Sequence, residues 1–258
     1  MPRHAGKMQS LLFSSVLPSA ILVVLAAWVA TKINWNFVAT LDFASLYTYR
    51  IALGQGLLNT VLITALSLAL GTALGISFAC LLYVPFRPLR WLIIAYVEIL
   101  RDIPLVVALF WIHFALPLVT GISTSVFESG FIAMALQSSA YLADVARAGI
   151  QAVPTGQWEA ATAIGLPRYR VWADVVLPQA LRIMIPPLAN VGIGYFKASS
   201  ALALLSVGEL MTVAARVSSY SFKPIETLTI AGLIYLALGY VLSMLTFQIE
   251  RRLKQGRS

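Results

Sequence analysis

Charge is what this sequence has least of. Of its 258 residues only 11% are Asp, Glu, Lys or Arg, against 60% hydrophobic. A soluble domain carries about a quarter charged residues, so this chain cannot cover a water-facing surface. That excludes a soluble globular protein and leaves an integral membrane protein. The single cysteine, Cys80, lies in an apolar run, which excludes an intrachain disulfide. With only two histidines beside it, a clustered His/Cys metal site is excluded as well. No G-x-x-x-x-G-K-[ST] run exists, because none of the five lysines follows the required glycines. H-E-x-x-H and G-x-S-x-G are missing too, which argues against an intramembrane enzyme. No internal repeat is found, and that weakens the case for a repeat-built secondary transporter.

What is present is long apolar segments. Spanning hydrocarbon takes roughly 20 mostly apolar residues in a helix. Five segments qualify: Leu11–Ala30, Leu57–Tyr83, Ile103–Thr120, Phe131–Ala148 and Leu228–Phe247. A sixth, Ile183–Leu205, is interrupted by Pro186-Pro187, Gly192, Gly194 and Lys197. It still counts, because membrane helices tolerate such residues when neighbours satisfy the freed backbone. The expected fold is all-α, with six transmembrane helices. The first has a rival reading, a cleaved secretory signal with Arg3 and Lys7 as its basic region. Its apolar run is long for a signal and Trp28-Val29-Ala30 is a poor cleavage site, so we expect it to be retained.

The net charge of +8 is distributed as membrane topology rather than as a nucleic-acid patch. Twelve basic residues fall before the first helix, after the second, from Arg147 to Arg182, and in the tail from Arg251. Only Lys32, Arg50, Arg216 and Lys223 fall in the opposite loops. The positive-inside rule then puts both termini and the loop around Glu159 in the cytoplasm.

Polar residues inside these segments are few enough to take singly. Gly56, Asn59, Thr60, Gly71 and Gly75 on the second helix are explained by close helix packing. Glu98, Arg101 and Asp102 must reach water or pair. We read them as an interfacial helix start opened by Pro104, with Arg101 and Asp102 as candidates for a transport route. His113 is read as a packing or hydrogen-bonding residue. Asp144 and Arg147, three apart at the inner end of the fourth helix, are expected to face one another and anchor the following loop. Lys197 lies fifteen residues beyond Arg182, about 22 Å along a helix. At that depth it faces a cavity with Asn190, Ser199 and Ser200 near it, pairs with Glu209 or Glu128, or reaches the outer interface.

The longest polar interruption runs from Tyr141 to Pro178. After Pro154, Thr155 is a plausible N-cap for a short helix to about Ile164, with Gly165 as a left-handed C-cap. Pro167 opens a second short helix, Arg168 to Val176, which Leu177-Pro178 is expected to end. Small Ala160, Ala161 and Ala163 beside Trp158, Tyr169 and Trp172 suit a partner surface, although a plain amphipathic helix on lipid would also fit.

Glu159-Ala160-Ala161, three residues, Gly165, nine residues, Val175, one residue, Leu177-Pro178 is similar to the EAA signature of ABC-importer permeases. That family has Ile where Val175 stands. Gly56-Leu57-Leu58-Asn59-Thr60, Arg101-x-x-Pro104-Leu105-Val106, Ala140-Tyr141-Leu142-Ala143-Asp144, Gly149-Ile150, Gly156-Gln157-Trp158-Glu159 and Leu177-Pro178-Gln179-Ala180 resemble the polar-amino-acid branch. The likeness covers about residues 54 to 250. Three positions depart from the branch: Asp102-Ile103 in place of Gly-Thr, Asp144 in place of Glu, and Ala198 where an acid follows the lysine. Without an acid at 198, Lys197 lacks the neighbour that the family places beside it.

The resemblance implies a five-helix type I permease core over 54–250 plus one N-terminal helix over 1–53, with a coupling loop over 149–182 and a basic tail over 251–258. Gly156, Gln157, Trp158, Glu159, Ala160, Ala161, Gly165, Leu177 and Pro178 would dock an ATP-binding subunit, present in two copies, that carries ATP and Mg. This chain would hold no cofactor. A second permease subunit, same or different, and an extracytoplasmic binding protein would complete an importer in the bacterial cytoplasmic membrane. Two other classes stay open: a partner-independent channel or secondary transporter, and a non-transporting membrane scaffold.

Overall fold

Backbone groups inside hydrocarbon must find partners within their own segment, so apolar sequence of this kind folds as helix. The structure, a computed structural model, describes residues 17–255, and every regular element among them is helical. They fall into two compact units that divide between Ser45 and Leu46. The first unit holds α1, Leu17–Lys32, and one turn, Trp35–Val38, capped by Asn34, whose Oδ1 accepts the Phe37 N–H at 3.1 Å. The Trp35 indole N–H donates to the Ala30 carbonyl at 3.1 Å. The expected first span, Leu11–Ala30, begins outside the described residues.

The second unit contains α2, Arg50–Leu81, and α3, Arg87–Asp102. Next come α4, Leu105–Thr120, α5, Val126–Gln151, and α6, Thr155–Ala163. It closes with α7, Arg168–Leu205, α8, Leu210–Ser221, and α9, Pro224–Gln255. Among the described residues three helical runs are long and apolar enough to cross a membrane alone: Ala44–Leu81, Arg168–Leu205 and Pro224–Leu253. α3 and α4 qualify together as one run broken by a 106° bend.

α5 carries more polar residues and is also the most enclosed helix. Ser129, Gln137, Ser138 and Ser139 on it are all buried. It packs on α2, α3 and α7, so its polar positions meet protein rather than lipid. The α2–α5 contact is the most extensive in the unit. It depends on Gly71-x-x-x-Gly75, the small-residue spacing that lets membrane helices approach closely. A Cβ at Gly75 would sit 2.8 Å from the Ser139 carbonyl and the Ala143 amide, and one at Gly71 would strike the Ser138 hydroxyl. At Gly75 glycine is required by backbone proximity.

Several expectations are corrected. Residues 87–102, expected as loop and interfacial helix start, form all of α3, an amphipathic helix that turns its Ile93 and Val97 inward. α8 was not anticipated; its N-cap, Glu209, carries the information that composition obscured. Thr155 is the first residue of α6, with Pro154 in the N-cap position. Leu177-Pro178 does not end the second loop helix, because the chain runs on as α7. A proline without an N–H normally breaks a helix by clashing with the carbonyl four residues back. Here Val171–Val176, just before Pro178, is wound as π-helix, which shifts the hydrogen-bond register past the proline. The same solution recurs at Trp111–Ala115, ahead of Pro117.

Candidate functional site

The loop between α5 and α7 is built around one small side chain. α6 buries Ala161 among Val171, Val176, Val153 and Ile150, with Trp158, Leu166 and Trp172 packed on that cluster. Gly165 adopts φ +76°. Its N–H donates to Thr162 O at 3.0 Å, and the Leu166 N–H reaches back to Ala161 O at 3.2 Å. These two bonds close a Schellman cap, whose apolar contact joins Ala161 and Leu166. The glycine is therefore needed for its backbone conformation, as expected.

With Ala161 turned inward, the opposite face of α6 is left open. Gly156, Gln157, Glu159 and Ala160 are exposed, and Trp158, Glu159, Thr162 and Ala163 line an open depression of about 450 Å³. Gln157 Oε1 accepts from the Gln179 amide at 3.3 Å, tying α6 to the start of α7. Leu177 is half-buried and Pro178 exposed at that start. Trp158 packs edge-on against Trp172 at 5.1 Å, and Trp172 against Tyr83 at 5.0 Å. The face is thus a rigid, nearly uncharged surface carrying one carboxylate.

A second arrangement surrounds the α3–α4 bend. Breaking a helix frees carbonyls of its last turn; α5 supplies donors to them from positions 137 and 141, and position 144 on the same face meets an arginine side chain instead. Gln137 Nε2 donates to Ile103 O at 2.6 Å, and the Tyr141 hydroxyl donates to Arg101 O at 3.1 Å. Arg101 Nη1 lies 3.1 Å from Asp144 Oδ2, and its guanidinium sits over the Tyr141 ring at 5.7 Å. From α7, the Tyr195 hydroxyl donates to Gln137 Oε1 at 3.2 Å. Asp144 therefore pairs with Arg101 across the helix interface, not with Arg147 along its own helix. The reason is orientation: Asp144 is half-buried toward α3, while Arg147 is exposed. Arg101 acts here as a clamp on the bend, with Asp102 exposed beside it.

The polar residues of α7 divide by face. Asn190, Gly194 and Lys197 are exposed, and the Lys197 stem passes over Gly239 of α9. Ser199 is buried, and its hydroxyl donates to Phe196 O at 2.7 Å. Ser200 donates to Lys197 O at 2.9 Å. Among the described residues no carboxylate lies within 4.0 Å of Lys197. Glu209 and Glu128 are engaged elsewhere. Glu128 closes a capping box with Ser125 at the start of α5. Glu209, fully buried, accepts from the amides of Met211 and Thr212 at 2.8 and 2.6 Å, from the Thr212 hydroxyl, and from Tyr235 at 2.8 Å. Asn59 Nδ2 donates to Gly208 O at 2.7 Å, and Thr60 Oγ1 accepts the Leu210 N–H at 3.0 Å. The polar residues of α2 thus hold the turn that precedes α8. His113 Nδ1 lies 2.9 Å from Ser129 Oγ, the hydrogen-bonding role expected of it.

Residues 71–255 match the family of binding-protein-dependent transport system inner membrane components. The chain belongs to this family. It is 34% identical over 216 residues to the arginine transport system permease protein ArtQ of Bacillus subtilis (strain 168), covering 84% of this chain and 99% of that one. It is 36% identical over 202 residues to the L-cystine transport system permease protein TcyB of the same organism, covering 78% and 86%. A crystal structure of an amino acid ABC transporter with histidines superposes with a TM-score of 0.78 at 31% identity, covering 83% of this chain and 99% of that one. The MetNI methionine ABC transporter in an inward-facing conformation shares the fold, with a TM-score of 0.70 at 20% identity and coverage of 80% and 98%.

Proposed function

We propose that this chain is the permease subunit of an ATP-driven ABC importer for polar amino acids or related zwitterions, coupled to a separate ATPase through α6. The observation that carries this is the exposed face of Gly156, Glu159 and Ala160, held by a buried Ala161 and a Gly165 cap, in a chain of this family. A scaffold would not require a built polar interior, and an independent carrier would not require the docking face. Family membership favours the importer over both.

In this reading the chain crosses a bacterial cytoplasmic membrane six times, with a core over 54–250, an N-terminal helix over 1–53 and both ends in the cytoplasm. Two ATPase copies carry ATP and Mg, a second permease subunit completes the pore, and an extracytoplasmic binding protein delivers substrate. Lys197 and Asn190 on the exposed face of α7 are the candidates for the translocation route.

Co-purification tests the docking claim. Wild-type chain in detergent is expected to retain its cognate ATPase, and Glu159→Lys to lose it while remaining in the membrane. A charge reversal at an interface costs a few kcal/mol, roughly a hundredfold in affinity. Equal capture by both forms would refute docking through Glu159 and raise the independent-carrier reading.

A further inference from the structure

Beside the coupling loop lies a pocket that neither the docking face nor the bend uses. It has a volume of about 230 Å³ and is lined by Leu82, Tyr83, Arg90, Ile94, Arg147 and Gln151. That is about eight times the ~30 Å³ share of one liquid water. Three elements meet there: the turn after α2, the first turn of α3 and the inner end of α5. The α2 helical run that qualifies as a span ends at Leu81, so the pocket sits at the edge of the hydrocarbon. Phe86, Trp91 and Leu92, next in sequence to its α3 wall, are 56%, 72% and 70% exposed, as residues facing lipid would be.

The charge in the pocket is one-sided. No carboxylate lines it, and among the described residues neither Arg90 nor Arg147 has an acidic group within 4.0 Å. An adjoining cleft of only about 20 Å³ shares Leu82, Ile94 and Arg147 with it and also holds Glu98 and Asp144. Asp144 is already held by Arg101, which leaves Glu98 alone against two guanidinium groups. The floor, Leu82 and Ile94, is apolar. Two planar forks, a phenol and an amide over an apolar floor suit a phosphodiester with an acyl-bearing glycerol behind it.

We propose that this pocket binds the headgroup of an anionic phospholipid. Arg90 and Arg147 grip the phosphate, and the Tyr83 hydroxyl and Gln151 amide bond its glycerol side. Basic pockets between membrane helices on the cytoplasmic side are a recognised setting for such headgroups. The position adds a consequence, which rests on the coupling role of α6. Tyr83 forms one wall and packs on Trp172, which packs on Trp158 next to Glu159. A bound lipid therefore braces the ring stack that supports α6.

Native mass spectrometry of the full chain, delipidated and then titrated, tests the site. Phosphatidylglycerol is expected to be retained in preference to phosphatidylcholine. The double variant Arg90→Gln/Arg147→Gln should bind phosphatidylglycerol about 25-fold more weakly, at roughly fivefold per basic residue near an anionic surface. Arg87→Gln, the same charge loss on the same helix but outside the pocket, should leave retention unchanged. Arg147→Lys keeps the charge and loses the fork. It should weaken retention severalfold, and it carries the test if the double variant does not fold. Equal losses for Arg87→Gln and the double variant would reduce the effect to bulk electrostatics and overturn the proposal. Displacement by millimolar inorganic phosphate would make it a soluble-anion site, and displacement by the cognate ATPase a protein contact; either overturns it. Lipid retention is read without ATPase or transport, so its failure is separable from failure of the importer reading.

Discussion

Gln137 is the residue on which two helices and a bend converge, since it donates to Ile103 O and accepts from Tyr195. Replacing it by Leu orphans a half-buried carbonyl and a buried hydroxyl, at about 1–3 kcal/mol each. Gln137→Leu is expected to lower Tm in detergent by about 4 °C or more, and an unchanged Tm would count against the clamp. Arg101 and Asp144 are 33% and 47% exposed, so their pair is worth no more than about 1 kcal/mol. A double-mutant cycle should give coupling of that size between Arg101 and Asp144, and none between Asp144 and Arg147. The residues 137, 141 and 144 were readable as one helix face. What they serve was not: Gln137 and Tyr141 bond backbone carbonyls at a bend, which no side-chain pattern marks, and Asp144 meets an arginine on another helix. Glu209 was hidden in a similar way: as an acid near apolar segments it suggested a partner for Lys197, whereas it satisfies the start of a helix that composition did not reveal.

At the scale of single elements the loop was the most legible part. Gly165 was assigned a left-handed cap from its place after a short helix, and its φ of +76° agrees. Placing a Cβ there costs about 1 kcal/mol. Gly165→Ala should therefore weaken ATPase capture more than Gly156→Ala, which meets open space. In α2, Gly75→Ala should destabilise more than Gly71→Ala, because its Cβ meets backbone on two sides while the other meets a movable hydroxyl first. Thermal unfolding of the two variants decides the order. Proline was the least reliable signal. Pro178 was expected to end a helix, and a π-helical stretch before it lets the helix continue, as another does before Pro117 inside α4. That accommodation is a property of backbone register, which residue types do not announce.

For the molecule as a whole, low charge and apolar length predicted an all-helical membrane protein, and loop charge predicts an orientation for it. Cysteine labelling checks that orientation in a Cys80→Ser background. Ala163→Cys on α6 should react only from the cytoplasmic side, and Ser123→Cys before α5 only from outside. Reaction of both from one side would reverse or abolish the assignment. The α3–α4 bend was illegible from sequence, because hydropathy measures how apolar a segment is and not whether it goes straight through. α7 shows the opposite case. It runs unbroken for 38 residues, from the loop at one end to Leu205 at the other, or about 55 Å. A rod of that length behaves as a lever: a tilt of about 5° at its loop end swings the far end by about 5 Å. Pro186 and Pro187 lie midway along it, and prolines inside a helix mark where such a lever would bend, so how much of the swing reaches the far end is set at that midpoint.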